Sequence, residues 1–551
     1  MRLDLLMHLI MTRKIGLLFL ALALSSAIAE KSKRPNIVYF MADDLGYGDV
    51  KCFGKDRCRI ETPNFDRLAA EGMMFTDAHA VASVCVPSRV AIMTGRYPWR
   101  FNRPERGGPW GFLGLQFQPE TFTLGDLMKQ GGYTTGYIGK WHLGTRMATT
   151  NAGVQTTNNV DYTQPLKIGP RDYGFDYSFI LPGSLDMFPY VFARNNRWLG
   201  YVNKQRGWSA FNRVGPTEES FEDHQVLNTF STEVEQFIGR HAKAAKADKP
   251  FFLYFALTAP HTPTSPNPKF AGKSKLGLYG DFVSEVDDSL GRLMTALKKH
   301  GLDKNTLVVA TSDHGAASYA GNIKEATVAQ YQSMRKLGHY SSGVYRGFKF
   351  SVYEGGRRVP FVAKWPGVVT PGGSTDQLVG LQDVFRTFAE ASGQKLQGNQ
   401  GVDSISLMPL FQYSGANALR ESMIQSSTRS WAVREGDWKL CLCPGSGSPG
   451  RWGNAPTQEA AYKEALKQFG GKPGRLDLLA APFVQLFDLQ ADPTESDNLA
   501  AKQPERVKRM LKIFDQQIAA GRSTPGPKQA NDRGGLNYLA GVPKFVKSRL
   551  K

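Results

Sequence analysis

The chain has 551 residues, of which 41% are hydrophobic and 21% are charged, and this composition is ordinary for a globular protein. The length indicates more than one folding unit, and after the N-terminus no apolar segment is long enough to span a membrane. The formal net charge of +19 favours anionic partners, although basicity can also serve solubility alone. Nucleic acid is disfavoured as a partner, because nothing beyond the charge indicates a nucleic-acid-binding module.

The N-terminal residues have the pattern of an export signal. Two basic residues precede the apolar run Ile15–Leu24, and Ala27-Ile28-Ala29 offers the small residues that a signal peptidase requires. The apolar run has about ten residues, whereas a membrane span needs about twenty. The sequence therefore predicts a signal peptide over residues 1–29 and a mature chain that begins near Glu30. This chain would be periplasmic or secreted, or lysosomal or extracellular in a eukaryote, without stable membrane insertion.

Four short apolar runs end in polar residues that are capable of catalysis. The runs do not alternate between apolar and polar residues, which predicts strands buried on both faces of a mainly parallel sheet. Helical spacing of apolar residues predicts helices over Pro63–Glu71, Phe122–Lys129 and Phe282–His300. Alternating strands and helices predict a large α/β fold with a mixed, mainly parallel sheet sandwiched by helices. The four runs are Asn36–Ala42, Tyr133–Gly139, Phe251–Leu257 and Thr306–Thr311.

The residues after these runs form one candidate site, because ligands gather beyond the carboxyl ends of the strands in such sheets. Adjacent carboxylates are costly unless a cation neutralises them, and oxygen-rich ligand sets favour Ca²⁺ or Mg²⁺ over zinc. We expect Lys140 and His142 to project to the same side of an extended chain, which places a cation beside a titratable base. The residues at the four ends are Asp43, Asp44, Lys140, His142, His261, Asp313 and His314.

The character of the chain changes near residue 415. Two short strands flank the turn Glu435-Gly436-Asp437, and a third run and a helix over about Pro504–Ala520 follow. These elements predict a small C-terminal α+β subdomain with an antiparallel sheet. The last stretch is rich in Gly, Pro, Lys and Arg, which is typical of a poorly ordered tail. The predicted division is a signal peptide over 1–29, an α/β domain over 30–415, the subdomain over 416–521 and a basic tail over 522–551.

The five cysteines fall into two pairs and one single residue. In an exported protein, an oxidising compartment allows a disulfide between Cys52 and Cys58 and another between Cys441 and Cys443. The second disulfide would close a very small, strained ring. Cys85 is left without a partner.

Cys85 opens the run Cys85-Val86-Pro87-Ser88-Arg89, whose spacing fits neither a metal-ligand pair nor a catalytic thiolate pair. Pro87 and the apolar residues after it predict a helix that starts just after the cysteine, and helix N-termini attract anions. The run resembles the sulfatase family motif, in which the cysteine is oxidised after synthesis to formylglycine, an aldehyde whose hydrate attacks sulfate esters. The alternative is an ordinary buried cysteine at the start of a helix.

The resemblance to sulfatases covers nearly the whole mature chain, from Pro35 to about Leu499. It includes Gly131–Gly144, Pro260–Pro263 and the stretch from Gly347 to Pro360. It implies the fold of the alkaline phosphatase superfamily, a maturation enzyme that makes the formylglycine, and a metal ion, with Ca²⁺ favoured over Mg²⁺. Sulfate esters of carbohydrates are the implied natural substrates, with aryl sulfates as laboratory substrates, and the position of the sulfate is left open.

The resemblance also implies a role for each site residue. Arg89, Lys140 and Lys349 hold the sulfate oxygens, and His261 together with Lys349 protonates the departing alcohol. His142 then takes a proton from the remaining hydroxyl of the modified residue. Many members of the family have Asn at the position that matches His314. The implied metal ligands are Asp43, Asp44, Asp313, His314 and the modified residue at Cys85.

Two other functions compete with this interpretation. A phosphonate monoester or phosphodiester hydrolase can use the same modified cysteine, and a catalytically inactive protein can bind sulfated glycans. The segment Thr145–Gln225 matches no motif and is either an ordinary surface insertion or part of a sugar-binding site. Its residues of the types that bind sugars are Tyr190, Arg194, Asn195, Trp198 and His224.

Overall fold

The structure of the chain is a computed structural model. The predicted signal peptide lies outside the residues that it describes, as does the end of the predicted basic tail. The described residues are 34–102, 105, 107–207, 212–320, 333–412, 417–427, 430–443, 445–447 and 484–539.

Ten of the described strands form one mixed sheet, and the four predicted apolar runs are neighbours at its centre. The five central strands run parallel to one another, and antiparallel strands flank them on both sides. This arrangement confirms the predicted large, mainly parallel sheet. From one edge to the other the strands are β13 (Gly373–Thr375), β2 (Met73–Phe75), β12 (Phe361–Lys364), β11 (Thr306–Ser312), β1 (Asn36–Asp43), β10 (Phe251–Pro260), β4 (Thr134–Lys140), β5 (Tyr177–Leu181), β6 (Ala193–Arg194) and β7 (Arg197–Trp198).

Helices cover both faces of this sheet, which explains why its central strands are apolar along their whole length. Neighbouring residues of β1 point to opposite faces: Tyr39 packs against Phe388 of one helix, whereas Phe40 packs against Phe65 of another. No helix among the described residues is both long and apolar enough to cross a membrane. The described α-helices are Lys51–Gly54, Pro63–Glu71, Cys85–Thr94, Leu124–Gln130, Val226–Lys246, Leu278–Lys299, Val384–Ala391, Met408–Gln412 and Pro504–Ala520.

A separate antiparallel sheet near the C-terminus confirms the predicted C-terminal sheet. Its strands pair in chain order, and the helix Pro504–Ala520 packs on it through Phe514. Residues 522–539 of the predicted tail also contact the protein, since Arg522 is buried and Asn531 accepts a hydrogen bond from Arg100 at 2.7 Å. The strands are β15 (Ser422–Ser426), β16 (Trp431–Glu435), β17 (Trp438–Cys441) and β18 (Gln485–Asp488).

A buried cluster of charges joins the two sheets. Glu354, which lies in the loop before β12, accepts hydrogen bonds from Lys439 of β17 at 2.9 Å and from Arg434 of β16 at 3.2 Å. Asp77 also pairs with Arg434, at 3.1 Å, and the Nε2 atom of His79 lies 2.7 Å from the Glu354 carboxylate. The C-terminal sheet is therefore fastened to the loop that follows Lys349. Arg358 and Glu495 complete the cluster.

Several local predictions differ from the structure. The helix of the Cys85 motif begins at Cys85 itself and not just after it. All five cysteines are free thiols, so neither of the two candidate disulfides is present. The helix Val226–Lys246 and strand β15 were not predicted. The insertion Thr145–Gln225 contributes β5, β6, β7, β8 (Val202–Arg206) and β9 (Gly215–Glu218), and the last two pair with each other. The remaining short sheet pairs β3 (Ala78–His79) with β14 (Val379–Gly380).

Candidate active site

The structure brings all the predicted site residues together at the carboxyl edge of the central strands. Strands β1, β4, β10 and β11 end there side by side, because parallel strands have their carboxyl ends at the same edge. Every one of these side chains is buried, at most 7% exposed. They are Asp43, Asp44, Cys85, Arg89, Lys140, His142, His261, Asp313, His314 and Lys349.

The helix Cys85–Thr94 supplies two of these residues. Cys85 and Arg89 are four residues apart and therefore lie on the same face of the helix, one turn apart. The Arg89 guanidinium lies 3.0 Å from a carboxylate oxygen of Asp313 and 3.3 Å from one of Asp43. It also donates a hydrogen bond to the Lys140 carbonyl at 3.2 Å. Arg89 thus ties three strand ends to the start of the helix.

The Cys85 thiol faces the acidic residues of the site. Its Sγ atom lies 3.2 Å from Nε2 of His314 and 3.7 Å from Oδ1 of Asp43. Burial raises the pKa of the Cys85 thiol far above its ordinary value, and the opposing effect of Lys349 does not compensate. Because the thiolate and not the thiol is nucleophilic, the unmodified side chain is a poor nucleophile at neutral pH.

Each carboxylate at the site has a cationic partner. Lys140 donates to Asp43 at 2.6 Å, and Lys349 donates to Asp44 at 2.8 Å. Burial alone would raise the pKa of Asp43, but Lys140 and its neighbours outweigh burial and hold this pKa well below its ordinary value. The opposite balance acts on Lys349, whose pKa burial would lower and Asp44 raises well above the ordinary value. The three carboxylates and three cations among the predicted site residues therefore balance, and a divalent cation would make this set net positive.

The donor atoms around Cys85 fit a divalent cation. The Nδ1 atom of His314 lies 2.9 Å from the Gly315 carbonyl, which can only accept, so that Nδ1 carries the hydrogen and Nε2 has the free lone pair. Burial lowers the pKa of His314 and keeps the ring neutral. Its Nε2 atom then faces Oδ1 of Asp44 at 3.2 Å, and two electron-pair donors at this distance repel each other unless a cation lies between them. Asp43 and Asp313 form a second group of donors with Cys85, so that Cys85 belongs to both groups.

The other two histidines of the site, His142 and His261, differ in their surroundings. His142 has a left-handed backbone with φ of 50°, so the predicted extended chain over Lys140–His142 is wrong and the strand ends at Lys140. Burial and then the charge of Lys140 lower the pKa of His142 well below its ordinary value, and its Nδ1 atom has no hydrogen-bond partner among the described residues. The Nδ1 atom of His261 lies 2.6 Å from the Thr262 carbonyl, and its Nε2 atom lies 3.8 Å from Asp44.

Asp186 is a site residue that the sequence analysis missed. One carboxylate oxygen lies 3.8 Å from Nδ1 of His261, and the other accepts a hydrogen bond from Arg213 at 2.8 Å. The side chain is buried, and its Oδ1 atom has no hydrogen-bond partner among the described residues. Asp186 lies five residues beyond the end of the apolar strand β5. The expectation that functional residues follow the carboxyl ends of the strands could therefore have identified it.

The five candidate sugar-binding residues of the insertion mostly have partners within the protein. Tyr190 is buried and donates to the Arg213 carbonyl, Arg194 forms an ion pair with Glu233, and Trp198 packs edge-on against Tyr162. Asn195 accepts a hydrogen bond from the backbone of Ser178, and His224 lies 3.7 Å from Glu222. These contacts favour the interpretation that the five residues stabilise the insertion.

Comparison with known proteins places the chain in a family. The family model described as Sulfatase matches residues 35–394. N-acetylgalactosamine-6-O-sulfatase of Bacteroides thetaiotaomicron is 29% identical over 524 residues, which cover 88% of this chain and 93% of that protein. Steryl-sulfatase of Rattus norvegicus is 35% identical over 421 residues, covering 68% of this chain and 70% of that protein.

A solved structure from work on the metabolism of multiple glycosaminoglycans by Bacteroides thetaiotaomicron has the same fold. Its TM-score is 0.73 at 28% identity, and the match covers 88% of this chain and 99% of that one. The fold and the site thus define a hydrolase of sulfuric esters. The chain belongs to the sulfatase family.

Proposed function

We propose that this sulfatase hydrolyses sulfate esters of carbohydrates by means of a formylglycine made from Cys85 and a bound Ca²⁺. The observation that carries the proposal is the position of Cys85, a buried and protonated thiol that belongs to two groups of metal-ligand donors at once. Support for a carbohydrate comes from the relatives, several of which are named N-acetylgalactosamine-6-sulfatases. The high positive charge of the chain agrees with a sulfated substrate.

When bound, the metal and the formylglycine hydrate supply a cationic centre and a nucleophilic hydroxyl. Asp43, Asp44, Asp313 and His314 would hold the metal, with the residue at position 85 as a further ligand. Oxygen ligands dominate this set, which favours Ca²⁺ over softer ions, with Mg²⁺ second. The imidazole of His314 is one nitrogen donor in an otherwise oxygen-rich set.

The other side chains of the site bind the sulfate group and move protons. Arg89, Lys140 and Lys349 are cations fixed by their carboxylate partners, and we infer that they orient and neutralise the sulfate oxygens. His261 donates a proton to the departing alcohol from Nε2, since its Nδ1 atom is engaged by the Thr262 carbonyl. His142 is neutral and takes up a proton at its unpartnered Nδ1 atom. The burial of all these groups excludes water and strengthens their electrostatic effect.

We also infer that the chain is exported and that a formylglycine-generating or equivalent enzyme matures it. The motif Cys85–Arg89 motivates the maturation enzyme, and the pattern of residues 1–29 motivates export to the periplasm or beyond the cell. The proposed function involves no nucleic acid as a partner and no stable insertion of the chain into a membrane.

The choice of reaction is tested by comparing two small substrates. We expect the matured protein to release sulfate from an aryl sulfate with a higher kcat/KM than it shows for an aryl phosphodiester, because the site offers its cations to a sulfate group. Ion chromatography of released sulfate, together with the absorbance of the released phenol, measures both reactions. A preference for the phosphodiester would favour the phosphonate or phosphodiester hydrolase. Binding of sulfated glycans without release of any sulfate would favour the inactive glycan-binding protein.

Removal of the metal provides a second test. We expect chelation to abolish sulfate release and to lower the melting temperature, because a ligand at about 100 times its Kd stabilises the native state by about 2.7 kcal/mol. Added Ca²⁺ should restore both activity and melting temperature, and in Asp44→Asn the Ca²⁺-dependent rise in melting temperature should be absent. Restoration by Zn²⁺ alone would contradict the proposed ligand set.

A further inference from the structure

The carboxylate of Asp186 is a buried group at the active site to which the proposed reaction assigns no role. The side chain is only 3% exposed. Its Oδ1 atom lies 3.8 Å from Nδ1 of His261 and has no hydrogen-bond partner among the described residues. A buried carboxylate oxygen without a hydrogen bond is costly, so its presence beside a proposed catalytic histidine calls for an explanation.

Arg213 holds this carboxylate in place by its other oxygen. The Arg213 guanidinium donates one hydrogen bond to Oδ2 of Asp186 and another to the Asp186 carbonyl, both at 2.8 Å. The same guanidinium lies over the ring of Trp110, with 3.5 Å between its central carbon and the ring centroid. Because these contacts fix Arg213, they also fix Asp186, with the Oδ1 atom on the side of His261.

The ring of His261 lies between two carboxylates. Asp44 approaches its Nε2 atom and Asp186 approaches its Nδ1 atom, each at 3.8 Å. The carboxylate of Asp44 already accepts hydrogen bonds from Lys349 with both oxygens, at 2.8 and 2.9 Å, and it is also a proposed metal ligand. The Oδ1 atom of Asp186 has no such second use, so the charge of Asp186 remains available to the histidine ring.

A negative charge beside Nδ1 supports proton donation from the opposite side of the ring. In the proposed reaction, the proton on Nε2 of His261 passes to the alcohol oxygen as the bond between sulfur and that oxygen breaks, and the ring is left neutral. Before this step the ring is a buried cation, which is costly unless a counter-charge lies nearby. Asp186 supplies this charge. Together with the Thr262 carbonyl, 2.6 Å from Nδ1, it also favours the ring orientation that leaves Nε2 for the substrate.

We propose that Asp186 is a positioning residue of the hydrolysis, which orients the ring of His261 and balances its charge while His261 protonates the leaving group. This inference rests on the proposed function, because it assumes that His261 is the proton donor. Asp186 should then matter most for sulfate esters whose leaving groups are strong bases, since these depart only when they are protonated. A residue that merely stabilised the fold would affect all esters alike.

The test compares two aryl sulfates that differ in the basicity of the leaving group. We expect Asp186→Asn to lower kcat/KM for phenyl sulfate by about thirtyfold, a part of the roughly 10²- to 10⁴-fold that a general acid contributes. For 4-nitrophenyl sulfate, whose phenolate is a weak base and departs without a proton, the same variant should lower kcat/KM by at most about threefold. Ion chromatography of released sulfate measures both reactions. Asparagine keeps an oxygen for Arg213, and any fraction of inactive protein cancels in the ratio of the two kcat/KM values.

Two further comparisons assign the effect to His261. When Asp186→Asn is added to His261→Ala, the ratio should not change further, because the two residues act on the same proton transfer. The matched control is Asp223→Asn. Asp223 is another buried acid of the insertion that pairs with an arginine, Arg206 at 3.0 Å, but it is not among the site residues. This control should leave the wild-type ratio unchanged.

An unchanged ratio in Asp186→Asn overturns the proposal, and so does an equal change of the ratio with and without His261. A loss of activity confined to sulfated sugars, at an unchanged ratio for the two aryl sulfates, overturns it as well, because Asp186 would then contact a sugar hydroxyl. Failure of the wild-type protein to release sulfate from either aryl ester contradicts the proposed function instead, and the two failures are therefore distinguishable.

Discussion

Replacing Cys85 with alanine is expected to lower kcat/KM for an aryl sulfate by roughly 10⁶-fold, the effect of removing an essential nucleophile. The reason is that Cys85 is the proposed precursor of the formylglycine, and no other nucleophile among the described residues takes its place between Asp43 and His314. Folding should persist, because the substitution removes one buried sulfur atom and costs about 1 kcal/mol. Assays of sulfate release and thermal melting measure the two effects.

The matched control is Cys52→Ala, which removes a half-buried free thiol that is not among the site residues. It should retain full activity. Peptide mass spectrometry of the wild-type protein should detect an aldehyde at position 85 when the chain is produced together with a maturation enzyme. Active protein that contains only the unmodified thiol, or turnover by Cys85→Ala, would mean that a different group attacks the ester.

Replacing Glu354 with glutamine is expected to lower the free energy of unfolding by about 3 kcal/mol or more at pH 7, as the loss of one partner from a buried ion-pair cluster does. The carboxylate is fully buried and pairs with Lys439, Arg434 and Arg358. Glutamine keeps the shape of the side chain but leaves these buried cations with too little negative charge. Urea unfolding of the wild type and the variant measures the difference.

The pH dependence of this difference identifies its electrostatic origin. Burial alone would raise the pKa of Glu354, but His79 and the neighbouring cations outweigh it and hold this pKa well below its ordinary value. A carboxyl group with a depressed pKa in the folded state contributes stability above its unfolded pKa of about 4.3, and this contribution is lost as the pH falls through the folded pKa. The wild type and Glu354→Gln should therefore differ fully at pH 7 and converge in acid.

Glu435→Gln is the control, since Glu435 pairs with Arg509 at the surface and such pairs contribute at most about 1 kcal/mol. An equal loss of stability in Glu354→Gln and Glu435→Gln would contradict a special contribution of the buried charge of Glu354. A difference between the wild type and Glu354→Gln that does not change with pH would contradict it as well.

The central sheet and most of the site were predictable because buried parallel strands leave a simple pattern in a sequence. The apolar run of β1 and the acids that follow it, Asp43 and Asp44, are adjacent in the chain, so that element and function are encoded in one segment. Asp186 was missed because four loop residues separate it from β5. Its closeness to His261 depends on how that loop folds back over the site.

The predictions that differ from the structure also failed for local reasons. The left-handed conformation of His142 cannot be inferred from its residue type alone, because a positive φ angle is uncommon even for histidine, which adopts it more often than most residues. Residue type also does not reveal that Tyr190 and Arg194 find their partners inside the insertion. The helix Val226–Lys246 was missed although its buried residues have helical spacing, because no motif drew attention to it.

The charge cluster around Glu354 has a consequence for the order of events during synthesis. The proposed catalytic residues all precede residue 350, whereas Arg434 and Lys439 leave the ribosome roughly a hundred residues later. Until then Glu354 and Asp77 have Arg358 but lack two of the cations that make their burial favourable, which leaves this part of the α/β domain less stable. In the finished protein Cys85 is only 2% exposed. The interval before the last strands emerge is therefore the period in which the proposed maturation enzyme has the best access to the cysteine.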